Sequence, residues 1–322
     1  MSTVNVASSM AVAPRRGRSS VSILSDRLFI RDGFAMARGA LTAIEAARMC
    51  ETARALCASL SMDALPSARL DIPKVPRDGL TRLMDTGVRA LLGRLFGTPM
   101  DVFSLIYYSN SGATAPHIHS LYTHMTPQHP ELTLWIPFAP IDADCGSIAL
   151  YPGSHLEFES TVRDFLRENP DIASRAWEFR GNRAGITPPW CYQTQNRLER
   201  FLGKTRDAAA ARTMEGRPGD VLVFNNHVVH RSDAWGTDRA RPALVIGVAE
   251  RASNRWFIDS FFYSLFDDRS AGNAIPMTRL RIGEDVFWQD PDRDIFGPFP
   301  ADRPSARHGV EPIEPADTAS QG

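Results

Sequence analysis

Cysteine is scarce: Cys50, Cys57, Cys145 and Cys191 are the four in 322 residues, and no two form a CxxC pair. That argues against a disulfide-stapled scaffold or a cysteine-ligated zinc module and predicts free thiols in a reducing compartment. Long apolar runs are also missing, since none approaches the ~20 residues needed to span a bilayer. The leading stretch MSTVNVASSMAVAPRRGRSSVS has Arg15, Arg16 and Arg18 with no apolar core after them. It therefore reads as neither a secretory nor a twin-arginine signal, and the expected location is cytoplasmic. Charge of one sign is not in excess either, with 36 basic against 37 acidic residues. Such a balance gives no general attraction to nucleic acid or to an anionic membrane, and the expected partner is a small-molecule substrate. No internal repeats stand out, and the oligomeric state stays open.

What is present is a soluble globular composition, 43% hydrophobic, arranged in two styles. DRLFIRDGFAMA (26–37) alternates as a strand does. ALTAIEAARMCETARALCASL follows with apolar residues at helical spacing, and Thr42 with Glu45 forms a capping box. LTRLMDTGVRALLGRLFG predicts a second amphipathic helix ending at a glycine. From about residue 101 the chain changes to short apolar runs separated by turns: MDVFSLIYYSNS, ELTLWIPFAPI, GSIALYPGSH, GDVLVFNNHVVH and RPALVIGVAER. These predict a sandwich or barrel of strands. A long segment interrupts them, with a helix-like ESTVRDFLRENPDIASRAWEF followed by ITPPWCYQTQN. An insertion of this size in a β-fold suits a lid or substrate wall. The expected organisation is a disordered tail over 1–21, one domain over 22–290 with an insertion or lid at 156–217, and a loosely packed or disordered tail over 291–322.

Histidine is the residue with the most uneven distribution. Seven of eight lie between 117 and 230, and PHIHSLYTHMTPQH alone holds four. His117 and His119 are two apart, so on an extended segment they share a face. His230 ends the apolar strand of GDVLVFNNHVVH. A close pair and a distant third, each at a strand end, is an arrangement by which a barrel mouth holds one metal ion. His124, His129, His155 and His227 are reserve candidates, and Asp142 or Asp144 offers a carboxylate if the register differs.

HIHSLY resembles the His-x-Asp region of the phytanoyl-CoA dioxygenase-like (PhyH) family, with Tyr122 five residues after His117. LTLWIPF and DADCGSIALYPGSH are similar to the family's next strand and its Pro-Gly-Ser-His block. GDVLVFNNHVVHRSDAWGTDRARPAL resembles the segment with the distal histidine, and Arg241 falls eleven residues beyond His230, where the family carries its cosubstrate arginine. The resemblance covers about residues 26–250. It implies a mainly β fold with supporting helices, a double-stranded β-helix or jelly roll of the cupin kind. It also implies an oxygenase using Fe(II), 2-oxoglutarate and O2. In that reading Arg241 grips the remote carboxylate of 2-oxoglutarate in a planar fork, Ser232 adds a hydroxyl, and Tyr122 and Trp135 complete the cosubstrate site. Tyr107, Trp190 and Tyr192 join Tyr122 and Trp135 around the substrate.

One position departs from the pattern. Where the family usually has aspartate, this chain has His119. A face of His117, His119 and His230 removes one negative charge from the metal's ligands and also suits other divalent metals. Three readings follow. His119 ligates, giving an active oxygenase of a small or medium-sized metabolite. Alternatively it swings away and leaves a position open to water, a halide or a substrate group. In the third reading catalysis is altered or lost, leaving a metal-binding or scaffold protein of the same fold. A three-histidine dioxygenase independent of 2-oxoglutarate is a further alternative.

Overall fold

A computed structural model describes residues 23–62, 67–68, 70, 72–110, 112–119, 131–179, 188–233, 239–251, 256–257, 274–275 and 278–289. Both expected tails, 1–21 and 291–322, lie outside the described residues. The segment read as one strand over 26–37 divides in two. Its first half is helix α1 (Arg27–Asp32), begun by the Asp26 side chain, which accepts from Leu28 N at 2.7 Å. Gly33 ends it, and only then does strand β1 (Phe34–Ala37) run. The alternation misled because Leu28 and Ile30 are exposed while Phe29 between them is buried.

Helix α2 (Ala43–Ser59) starts on the expected capping box: Glu45 N donates to Thr42 Oγ1 at 3.1 Å, and Thr42 N to Glu45 Oε2 at 2.7 Å. After a short strand β2 (Ser67–Ala68), the second amphipathic helix is interrupted. It comprises α3 (Arg77–Leu83), a π-helical turn (Met84–Val88) and α4 (Arg89–Phe96). Gly87 sits in that turn at φ 129°, a conformation that a Cβ disfavours, so the break is built around the glycine.

The strands then come as β3 (Met100–Tyr108), β4 (Thr114–His117), β5 (Leu132–Pro137) and β6 (Ile148–Leu150). Three helices follow, α5 (Phe158–Glu168), α6 (Pro170–Phe179) and α7 (Pro188–Thr205). ITPPWCYQTQN thus runs into the longest of them, its two prolines standing at the start, where a missing N–H costs nothing. The chain resumes with β7 (Arg212–Met214), β8 (Val221–Asn225), β9 (His230–Ser232) and β10 (Ala243–Glu250). Beyond them are β11 (Trp256–Phe257), β12 (Ala274–Ile275), β13 (Thr278–Ile282) and β14 (Asp285–Gln289).

One sheet has the order β1-β8-β5-β10-β3-β14-β13, with β2 also on β3, and the other has β4-β9-β6-β7. From β3 to β6 and again from β7 to β10, successive strands alternate between the sheets. The order β8-β5-β10-β3 facing β4-β9-β6-β7, antiparallel throughout, is that of a double-stranded β-helix. The expected fold class is therefore the observed one.

The apolar residues sort into three bodies. Leu80, Leu91 and Met49 of the helical layer pack with Leu134, Ile136 and Leu244 on one face of the larger sheet. Trp135, Leu222 and Phe224 turn the other way and meet Leu150 and Met214 of the smaller sheet, filling the space between the two. The helices after β6 form a third body with Phe165, Leu198 and Leu202, joined by Ile118 and Val229. Burying a side chain of this size contributes ~1.5–3 kcal/mol, so Ile118 and Val229 anchor the insertion to the smaller sheet. Among the described residues, no helix is long and apolar enough to cross a membrane.

Candidate metal centre

Ile118 and Val229 face the insertion, and their neighbours face the opposite way. His117 ends β4 and His230 begins β9, and the two are directly paired across the antiparallel ladder. His119 is fixed by its backbone N–H, which donates to Asn226 O at 3.0 Å. The rings of His117 and His119 lie 4.2 and 4.5 Å from that of His230, and one nitrogen from each of the three lies within 4.8 Å of the others. Phe224 from the larger sheet closes the floor, 4.8 Å from the His230 ring. Among the described residues, this cluster contains no Asp or Glu.

The hydrogen bonds determine which nitrogens carry protons. His117 Nδ1 lies 2.8 Å from Ala115 O, and His230 Nδ1 lies 2.9 Å from Val228 O. A carbonyl only accepts, so both Nδ1 atoms are N–H donors and both Nε2 atoms present lone pairs. His119 Nδ1 is 3.1 Å from Thr133 Oγ1, whose own proton is directed to Asn226 Oδ1, so it too donates and leaves Nε2 bare. His119 Nε2 and His230 Nε2 stand 3.1 Å apart. With neither carrying a proton, no hydrogen bond joins them. Two imidazole nitrogens about 2.1 Å from one ion, at right angles around it, lie about 3.0 Å apart, so the donor set fits a metal.

The electrostatics agree with that fit. Burial lowers the pKa of all three histidines, and repulsion from His117 adds to the effect at His119 and His230. Neutral imidazole is the form that binds a metal.

Arg239 and Arg241 have opposite surroundings. Arg239 makes an exposed pair with Asp142, Nη2 lying 2.9 Å from both carboxylate oxygens. Arg241 is 2% exposed, just ahead of β10, with Nη2 donating to Gly112 O at 3.2 Å. Burial lowers its pKa below the ordinary arginine value. A guanidinium withdrawn this far from water suits an anionic ligand. Ser232 is two residues along β9 from His230, and its N–H donates to Thr114 Oγ1 at 2.8 Å. Trp135 is buried between the sheets, two residues along β5 from Thr133.

Other candidates are placed elsewhere. Tyr107 is a correction to the substrate wall: it lies in the helix–sheet core, hydrogen-bonded to Cys50 of α2, where burial pushes its pKa up to about 12. His227 stacks flat on Phe158 at 3.8 Å, and His155 bonds to Ile30 O at 3.1 Å, so both tie elements together. Asp142 holds the turn at Cys145 as well as Arg239. Among the described residues, Cys50, Cys57 and Cys145 form no disulfide. Tyr122, His124 and His129, and the side chains of Trp190, Cys191 and Tyr192, lie outside the described residues. Thr133, Asn226 and Glu131 border the cluster without belonging to any motif above, and their signal in the sequence is the polar Glu131 and Thr133 alternating into the apolar ELTLWIP.

The sequence profile described as phytanoyl-CoA dioxygenase (PhyH) matches residues 29–243. Two curated relatives are phytanoyl-CoA dioxygenase domain-containing protein 1 homologues. The one from Caenorhabditis briggsae is 22% identical over 150 residues, covering 47% of this chain and 45% of the relative. That from Caenorhabditis elegans is 23% identical over 145 residues, covering 45% and 43%. The matched part thus spans less than half the length of these relatives. Among solved structures, the epimerase SnoN in complex with Fe3+, alpha ketoglutarate and nogalamycin RO is 19% identical, with a TM-score of 0.47 and coverage of 81% of this chain and 95% of that one. The carbocyclase SnoK from nogalamycin biosynthesis is 14% identical, with a TM-score of 0.46 and coverage of 72% and 87%. With the profile matched over about two thirds of its length, the chain belongs to the phytanoyl-CoA dioxygenase family.

Proposed function

We propose that this chain is a non-haem Fe(II)- and 2-oxoglutarate-dependent oxygenase with three histidine ligands, acting on a small or medium-sized, partly apolar metabolite in the cytoplasm. The observation that carries the reading is the convergence of bare Nε2 atoms from His117, His119 and His230 between the sheets. Bound there, Fe(II) supplies the redox chemistry that activates O2 and oxidises 2-oxoglutarate. Arg241 supplies the cation for the remote carboxylate of 2-oxoglutarate, and Ser232, Trp135 and Tyr122 are assigned to the same site from the family resemblance. The insertion at 156–217 serves as the substrate wall. In support, α7 packs along β4, and the Glu199 carboxylate acts on His117 from that helix. The near-zero net charge favours a small molecule over nucleic acid or membrane.

The test is succinate formation from 2-oxoglutarate by purified protein supplied with Fe(II), O2 and a broad metabolite extract. Succinate that depends on both metal and O2, and that disappears in His230→Ala, is the expected result. No succinate with any divalent metal contradicts the reading and leaves a metal-binding scaffold of the same fold.

A further inference from the structure

We infer that Glu131, acting through Asn226 and Thr133, is the positioning residue that holds His119 in its metal-binding tautomer; the inference rests on the metal-site reading above. Glu131 lies at the entry to β5 and Asn226 just beyond β8, and both are buried, as is Thr133. Glu131 Oε2 accepts from Asn226 Nδ2 at 3.1 Å. Asn226 Oδ1 accepts from Thr133 Oγ1 at 2.6 Å, and Thr133 Oγ1 lies 3.1 Å from His119 Nδ1. The backbone locks the same residues, since Asn226 N donates to Glu131 O and His119 N to Asn226 O, each at 3.0 Å.

Polarity passes along this chain in one direction. Glu131 Oε2 accepts from the Asn226 NH2, which turns the Asn226 carbonyl toward Thr133. The Thr133 hydroxyl must then donate to that carbonyl, which leaves its lone pair to accept from His119 Nδ1–H. The proton is held at Nδ1, and Nε2 is left bare toward the metal position. His117 and His230 need no such device, because a backbone carbonyl fixes each of them. His119 Nδ1 instead meets the Thr133 hydroxyl, which can donate or accept, and the ring also bonds the Asn226 side chain, whose amide can face either way. Its tautomer is therefore decided further along, at Glu131. Hydrogen-bond partners of metal-ligating histidines typically change metal affinity by about 10–100-fold when removed.

Glu131→Gln separates this role from packing, because it keeps the shape but can donate, allowing Asn226 to flip and the chain to reverse. The metal-free protein, labelled with 15N in its histidines, reports the tautomer by NMR, and Co(II) titration reports affinity. The expected result for Glu131→Gln is a shift of His119 from Nδ1–H toward Nε2–H and a Co(II) Kd raised about tenfold or more. Thr133→Val should match it and Thr133→Ser should stay near wild type, a pair that decides the matter if Glu131→Gln does not fold. Wild-type tautomer and affinity in both Glu131→Gln and Thr133→Val overturn the relay, even if His119→Ala weakens Co(II). Unchanged Co(II) affinity in His119→Ala instead overturns the ligand assignment, and the NMR tautomer still judges the relay.

Discussion

A guanidinium that is 2% exposed has given up most of its hydration, and that loss is recovered when an anion reaches it. Arg241→Ala should therefore abolish the thermal stabilisation that 2-oxoglutarate gives the wild type, which at a hundredfold excess over Kd is about 2.7 kcal/mol. Co(II) affinity should change little, because Arg241 is not among the clustered histidines. Arg241→Lys should recover only part of the effect, since an ammonium lacks the fork that meets both oxygens of a carboxylate. Equal stabilisation of wild type and Arg241→Ala in a thermal shift series counts against the assignment. At this scale the sequence was legible where spacing alone fixes direction. His117 and His119 are two apart, and a strand's period does the rest. It was not legible where a partner is remote: Asn226 meets Glu131 and Thr133 across 95 and 93 positions, and only the pairing of β5 with β8 brings them together.

Among the elements, the join between α1 and β1 bears most directly on the site. Gly33 takes φ +82°, and its carbonyl accepts from Asn225 N at 2.9 Å. A Cβ there would stand 2.5 Å from His155 Nδ1 and from a methyl of Val228, the residue whose carbonyl holds His230. Gly33→Ala combines backbone strain with a clash and should cost about 1–3 kcal/mol, read as a lower urea midpoint at unchanged slope. A loss under about 0.5 kcal/mol would mean that the joint is looser than described. The elements the sequence predicted well are those with a local signature, such as α2 with its capping box and β5, β8 and β10 with their apolar runs. Helix α1 is only six residues long, too short for its period to outweigh an apparent alternation. The π turn at Gly87 leaves the hydrophobic spacing on both sides intact, so the spacing predicts one helix where the chain makes two.

In the whole molecule, the order of strands converts local patterns into a site. Alternation between sheets brings β4 beside β9 although more than a hundred residues separate them, and so pairs His117 with His230. The fold class was legible from the number and style of the short runs and from their likeness to the family, whereas the ladder that seats each histidine required the structure. In the proposed site three imidazoles, with no carboxylate from the protein, hold one metal. X-ray absorption on the Fe(II)-loaded protein without 2-oxoglutarate counts those ligands directly. The expected spectrum has three imidazole nitrogens about 2.1 Å from the metal, and two in His119→Ala. Two imidazoles and a protein carboxylate in the wild type, or the same imidazole count in His119→Ala, would contradict it.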